Sequence, residues 1–265
     1  MEKMLQGKVA MISGTGGGQG RAAAIAFARE GAAVVGCDVD REAAEETVRL
    51  VQAAGGRMIS LQPLDLAEPA DAERWMDTAV SEFGGVDILY NNAGALHARG
   101  PFDQSTLEHW QNTIRDELTI VYVACRAVWQ RLVDRGGGII INTASVSGHV
   151  EFLPMRSAAH GAAKAGVMGL TRTLAAEGAI HGIRAVSISP GVTRTPATQR
   201  FWSGTDEQRA VGAAMIAKVP SGRAAEPEEI AEAAVFLASD RASYINATDL
   251  LIDGGLRGVS FTSLE

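Results

Sequence analysis

The sequence predicts an α/β fold, a Rossmann-type doubly wound parallel sheet of about seven strands with helices on both faces. Three observations predict it. Short runs rich in Val and Ile alternate with longer Ala-rich stretches of helical period. A glycine-rich turn separates the first strand from the first helix, and an acidic residue, Asp38, ends the second strand. Strands that alternate with helices of this length pair in parallel and carry helices on both faces.

The strand candidates, in order, are Lys8–Ser13, Ala33–Cys37, Arg57–Leu61, Val86–Tyr90, Gly138–Asn142, Ile183–Ile188 and Leu250–Ile252. Between them the apolar spacing predicts helices over Gln19–Arg29, Arg41–Ala54, Pro69–Phe83, Thr106–Val133, Ser157–His181 and Pro227–Ala238. No repeat, low-complexity tract or linker divides the chain, so residues 1–265 are expected to form one dinucleotide-binding domain. The least regular stretch is Thr193–Arg223, which holds Phe201, Trp202, Gly204 and Gly212. A long irregular segment in a compact domain is usually functional, and this one is expected to act as a substrate lid.

Composition narrows the function. At 46% hydrophobic and 21% charged, the chain can bury a large core and still dissolve. A net charge of −7 argues against nucleic acid as a partner, because phosphate binding needs a basic face. No run of eighteen apolar residues predicts a membrane span. Two cysteines, Cys37 and Cys125, make neither a disulfide framework nor a metal cluster, so no metal is expected and a reducing cytoplasm is the expected compartment.

The glycine loop, Ser13-Gly14-Thr15-Gly16-Gly17-Gly18-Gln19-Gly20, opens the first helix. Glycines there let the backbone turn sharply and approach a pyrophosphate, which the helix N-terminus stabilises. Asp38 lies eighteen residues after Gly20, where a carboxylate accepts hydrogen bonds from an adenosine ribose. The same carboxylate would repel a 2′-phosphate. Within the glycine loop there is no Lys or Arg to receive one, because Arg21 lies past the last glycine and Arg41 beyond Asp38. NAD is therefore expected over NADP.

With these residues the chain resembles the short-chain dehydrogenase/reductase family over essentially its whole length. The glycine loop is similar to the family's T-G-x-x-x-G-x-G, with Ser13 in the threonine position. Asn91-Asn92-Ala93-Gly94 is similar to its N-N-A-G, Pro190-Gly191-Val192-Thr193-Arg194-Thr195 to its P-G-x-x-x-T, and Asp253-Gly254-Gly255 to its C-terminal signature. The resemblance implies hydride transfer between a nicotinamide and a small carbonyl or alcohol substrate, with an imine as a variant acceptor. It also implies a homo-oligomer, dimer or tetramer. Gly14, Gly18, Gln19 and Gly20 would then form the pyrophosphate turn, with Asp65 and Leu66 near the adenine. Asn91, Ala93 and Gly94 would line the adenosine side, and Pro190, Gly191, Val192 and Thr195 the nicotinamide.

The catalytic positions depart from the family. Its Y-x-x-x-K pair reads here His160-Gly161-Ala162-Ala163-Lys164, and the asparagine expected in the fourth helix is Glu117. The serine match is Ser145 within Ile140-Ile141-Asn142-Thr143-Ala144-Ser145; Ser147 has the commoner spacing to the tyrosine position. Choosing Ser145 lengthens the next loop, Gly148–Arg156, by two residues and brings in His149, Glu151 and Arg156. A spacing of four keeps His160 and Lys164 on one helix face.

Imidazole titrates near neutral pH and suits proton transfer there. A carboxylate at Glu117 could pair with Lys164 or orient the histidine. Ser145, His160, Lys164 and Glu117 are thus the candidate catalytic set, with Lys164 also binding the ribose. An NAD(H)-binding protein with altered or lost redox activity, a sensor or a lyase or isomerase using His160 and Glu117, remains the alternative. Phe201, Trp202 and Met215 point either to an apolar substrate or to core packing, and His97, Arg99 and Arg156 could meet an oxygenated or acidic group.

Overall fold

The computed structural model describes residues 3–151 and 156–259. Seven parallel strands form one sheet in the order β3-β2-β1-β4-β5-β6-β7. They are β1 (Val9–Ser13), β2 (Ala33–Cys37), β3 (Arg57–Leu61), β4 (Ile88–Asn91), β5 (Gly138–Thr143), β6 (Ile183–Pro190) and β7 (Asp249–Ile252). The helices are α1 (Gly18–Arg29), α2 (Arg41–Ala53), α3 (Pro69–Phe83), α4 (Leu107–Ile114), α5 (Ile120–Asp134), α6 (Ala158–Gly178), α7 (Arg200–Ser203), α8 (Asp206–Ile216) and α9 (Pro227–Ala238). The predicted fold class holds.

Burial on both faces explains the unbroken apolar runs. Along β1, Ala10 and Ile12 face a core built with Phe27 of α1 and Ile230 and Val235 of α9. The alternate residues Val9 and Met11 face a second core with Trp75 of α3, Val121 of α5 and Val167 of α6. Trp75 has its polar edge satisfied as well, because Nε1 donates to the Val35 carbonyl at 3.1 Å. Strand order reverses between β1 and β4, and that switch point opens a crevice at the carboxyl ends of the strands.

Two helical expectations need correction. The segment read as one helix over Thr106–Val133 is broken by a π-turn at Arg115–Thr119, where the amide of Ile120 donates to the carbonyl of Arg115. Thr193–Arg223 is far more regular than its sequence implied. It contains α7 and α8, and α8 begins with a capping box between Thr205 and Gln208. The two helices pack so closely that a Cβ on Gly212 would stand 2.3 Å from the Phe201 carbonyl oxygen. Phe201 and Met215 are buried in that packing.

Candidate active site

The glycine turn is shaped for close approach. Gly14 and Gly18 have φ of 71° and 50°, in the left-handed region that favours glycine. A Cβ on Gly20 would lie 1.9 Å from the Gly14 carbonyl oxygen, so Gly20 lets α1 seat against the turn and is not itself a cleft residue. Helix α1 has Gly17 at its N-cap, so no side chain caps it, and its first turn holds no acidic residue. Its leading amides are thus left for an external acceptor, which fits a pyrophosphate.

Asp38 is fixed at the rim of this turn. Oδ2 accepts the Gly16 amide at 2.7 Å and Oδ1 the Asp40 amide at 2.9 Å. Arg21 is held by the protein itself. Its guanidinium donates to Thr47 Oγ1 and to the carbonyls of Gly16 and Ala43. Arg41 pairs with Glu45 at 3.5 Å. Asp65 sits across the cleft, its carboxylate on Arg115, which holds its pKa below the usual value against the opposing effect of burial.

A cleft of about 580 Å³ joins these parts to the catalytic candidates. Its walls include Gly14, Gly18, Gln19, Asp38, Asp65, Leu66, Ala93, Gly94, Glu117, Ser145, His160, Lys164, Pro190, Gly191 and Thr195. Asn91 and Val192 are outside that wall. The Asn91 side chain faces the core, where Nδ2 donates to Asn142 Oδ1 at 2.9 Å and Asn142 donates on to Thr171. Asn92 takes the cleft position and ties β4 to β1 by donating to the Ser13 carbonyl. At Asn91, expected to line the adenosine side, the side chain is thus engaged in the core. A buried amide finds its partners in the core sooner than in a wet cleft.

The π-turn brings the candidate residues together. One extra residue in the turn re-aims the side chains that follow. Asp116 turns outward to His97 (2.6 Å) and Arg115, while Glu117 turns inward and is 4% exposed. Helix α6 approaches closely because Gly166 has no side chain; a Cβ there would meet Leu118 at 2.8 Å.

His160 stands close to the start of α6. It lies in the first turn of α6, where Ser157 caps the helix by accepting the His160 amide. Its Nδ1 is 2.7 and 2.9 Å from the two Glu117 oxygens. The carboxylate thereby also sits near the positive end of α6.

Lys164, one turn further on, is 6% exposed and donates from Nζ to the Thr143 carbonyl at 3.0 Å. Burial pushes its pKa down and the nearby Glu117 charge pulls it back up. Ser145 follows β5, and its Oγ accepts the Ser147 amide at 3.1 Å. Ser145 faces the cleft, and Ser147 is not among the cleft residues.

Of the loop that follows, residues 152–155 lie outside the described residues. His149 leaves the cleft and binds Asp249 of β7 at 2.7 Å. Glu151, Arg156 and Arg99 line an adjoining recess of about 280 Å³, and Arg99 also borders the main cleft. Arg99, Glu151 and Arg156 were all singled out in the sequence, whereas Phe102 and His109, which also line the recess, carried no distinguishing signal. Among the described residues no cluster of His, Cys, Asp and Glu could hold a metal ion, and no helix is long and apolar enough to cross a membrane.

Comparison with known proteins places the fold in a family. A family model described as enoyl-(acyl carrier protein) reductase matches residues 14–257. The chain is 38% identical over 251 residues to D-threitol dehydrogenase of Mycolicibacterium smegmatis, covering 95% of this chain and 93% of the relative. It is 39% identical over 255 residues to 3beta-hydroxysteroid dehydrogenase 1 of Eggerthella lenta, covering 95% and 94%. The crystal structure of a short-chain dehydrogenase/reductase from Burkholderia xenovorans superposes with a TM-score of 0.92 at 33% identity, covering 98% of this chain and all of that one. The parallel sheet, the glycine turn and the full-length matches agree: the chain belongs to the short-chain dehydrogenase/reductase family of oxidoreductase enzymes.

Proposed function

We propose that this chain is an NAD-dependent dehydrogenase that oxidises a small secondary alcohol, and in reverse reduces the carbonyl, with a Glu–His pair in place of the family's tyrosine. The observation that carries the reading is the contact of His160 Nδ1 with Glu117 at 2.7 Å, inside the cleft that also holds Ser145 and Lys164. Both relatives are named as dehydrogenases of hydroxyl-bearing compounds, D-threitol and a 3beta-hydroxysteroid.

A neutral imidazole whose Nδ1–H donates a hydrogen bond to a carboxylate keeps a lone pair on Nε2. The pairing sets the tautomer and orientation, so His160 is ready to act as a base. Ser145 Oγ holds the substrate oxygen by donating to it. As the carbinol carbon becomes a carbonyl carbon, Nε2 takes the hydroxyl proton and Glu117 stabilises the resulting imidazolium. Bound NAD⁺ supplies the acceptor for the hydride that leaves the same carbon. Lys164, which donates to the Thr143 carbonyl, would bind the ribose, with its charge supported by Glu117. In the reverse direction the imidazolium returns the proton.

NAD is favoured over NADP because the Asp38 carboxylate would meet the adenosine ribose and oppose a 2′-phosphate, while Arg21 and Arg41 are engaged by protein groups. The chain works as a soluble homo-oligomer, dimer or tetramer, in the cytoplasm, and Thr193–Arg223 closes over the substrate. The test is NAD⁺-dependent oxidation across a panel of secondary alcohols, read at 340 nm. Turnover of at least one alcohol by the parent chain, and its loss in His160→Gln, is the expected result. No turnover on any alcohol, ketone or imine would contradict it.

A further inference from the structure

The turn that follows β5 is gripped from two sides. Ser145 at its start faces the cleft, and Val146–Gly148 close it, with the Gly148 amide donating to the Ser145 carbonyl at 2.9 Å. On one side Gly148 presses against α6, where a Cβ would stand 2.9 Å from the Lys164 carbonyl carbon and from the Ala165 amide nitrogen. On the other side His149 reaches the edge strand of the sheet, and its Nε2 donates to Asp249 Oδ2 of β7 at 2.7 Å. Neither His149 nor Asp249 lines the cleft.

Both oxygens of Asp249 are engaged. Oδ1 accepts from Ser187 Oγ at 2.5 Å and from Ser189 Oγ at 2.9 Å. The two serines are buried on one face of β6, and Ser187 is the register partner of Asp249. The same strand ends at Pro190, and Pro190 and Gly191 line the cleft. One carboxylate therefore ties the Ser145 turn to the strand end that forms another part of the cleft wall. Packing alone does not call for this set. A buried carboxylate loses hydration that its partners at best offset, and apolar side chains of the same volume stabilise such a place as well or better. What the polar set adds is direction, because each hydrogen bond holds its atoms close to one line.

We propose that His149 and Asp249 are positioning residues for Ser145: their contact locks the turn after β5 against β6 and β7, and so holds Ser145 Oγ where the substrate oxygen meets both it and His160. The pair acts through the backbone of the turn and touches neither substrate nor cofactor. Its effect on catalysis rests on the dehydrogenase reading above, whereas the locking of the turn does not, and the experiment reads the two separately.

The full chain is compared with His149→Leu, with Asp249→Val, with the two combined, and with His149→Gln, whose side-chain amide keeps a donor. Amide exchange at residues 147–150, NADH affinity by fluorescence, the melting temperature and single-turnover hydride transfer from a saturating secondary alcohol are measured on each. Exchange at 147–150 is expected to quicken about tenfold or more in the apolar variants. Hydride transfer should slow about tenfold or more while NADH affinity changes by less than about threefold, because a small displacement of Ser145 costs rate and leaves the cofactor contacts alone. His149→Gln should bring exchange and rate back close to those of the parent. The combined variant should be no slower than the slower single one, because the two residues act as one unit.

Unchanged exchange at 147–150 in the folded variants overturns the proposal, whatever their rates. So does a lowered melting temperature with the parent's rate, since the pair would then only stabilise the fold. Losses that multiply in the combined variant also overturn it, because His149 and Asp249 would then act independently. Should Asp249→Val not fold, His149→Leu and its rescue by His149→Gln decide by the same measures. No turnover by the parent on any alcohol, ketone or imine sinks the dehydrogenase reading; exchange that still quickens in the variants then leaves the lock on the Ser145 turn standing.

Discussion

The carboxylate of Glu117 and the imidazole Nδ1 of His160 meet at 2.7 Å, although 43 residues separate them in the chain. Two departures from the family pattern are therefore one local feature. A lone Tyr-to-His exchange would leave the ring unoriented. Here a π-turn delivers a buried carboxylate to it, and the first turn of α6 presents the ring to that carboxylate.

Cofactor choice should follow Asp38. NADH is expected to bind at least about tenfold more tightly than NADPH, because the Asp38 carboxylate opposes a 2′-phosphate and Arg21 is tied to Gly16 and Ala43. Asp38→Ala should narrow the gap. Titration of NADH and NADPH fluorescence measures both affinities, and equal values for the unmodified chain would refute the assignment.

The buried amide network sets a stability test. Asn142 joins Asn91 of β4 to Thr171 of α6 in a fully buried chain of hydrogen bonds. Asn142→Ala takes one hydrogen bond from each neighbour, leaving Asn91 Nδ2 with Cys125 Sγ and Thr171 Oγ1 with the Val167 carbonyl, and each lost bond costs about 0.5–1.5 kcal/mol. A loss of that order or more in chemical denaturation is expected. A loss under about 0.5 kcal/mol would mean that water or a rearranged side chain replaces the amide.

Lys164 gives a pH dependence with a definite sign. Burial lowers its pKa in the folded protein below the ordinary 10.5, so between that lowered value and 10.5 the unfolded chain binds more protons. Stability relative to a Lys164→Met variant should therefore rise with pH through that window, and the gain should disappear as pH falls through the folded pKa. Glu117→Gln removes the charge that supports the ammonium and should start the rise at lower pH. Denaturation curves at stepped pH read it; a relative stability that falls with pH would contradict the burial argument.

These tests rest on features of unequal visibility in the sequence. The strands and most helices were legible because apolar periodicity states which faces are buried; β2, β3, α3 and α9 fall at the bounds their residues imply. The glycine turn and Asp38 were legible because a tight approach to a phosphate permits few residue types. The π-turn was not. Leu107 to Asp134 reads as one continuous helical pattern, and a shift of one hydrogen bond from i→i+4 to i→i+5 leaves almost no trace in composition. The inward turn of Asn91 was also hidden, since neighbouring asparagines look alike until Asn142 and Thr171 are placed. In Thr193–Arg223, glycines at 204 and 212 looked like breaks, yet Gly212 is where α8 presses against Phe201.

That segment makes the next prediction. Helices α7 and α8 pack on each other, while Thr195, Pro196 and Ala197 border the cleft. Without ligand, residues 193–223 should be the least protected long segment in hydrogen exchange, and they should gain protection when NAD and substrate bind. Uniform protection with and without ligands would make the segment a fixed part of the wall.

The Glu117–His160 pair is tested most directly by single-turnover hydride transfer in four chains: the parent, His160→Gln, His160→Tyr and His160→Tyr with Glu117→Asn. The account predicts that the parent turns over an alcohol, and that His160→Gln binds NADH yet loses about 10²-fold or more in rate. It also predicts that His160→Tyr alone performs poorly beside an unpaired buried carboxylate, and that the double variant recovers part of the loss. NADH binding without turnover by the parent on any substrate, together with turnover that appears only in the double variant, would contradict the account and leave a cofactor-binding protein that has lost its redox step.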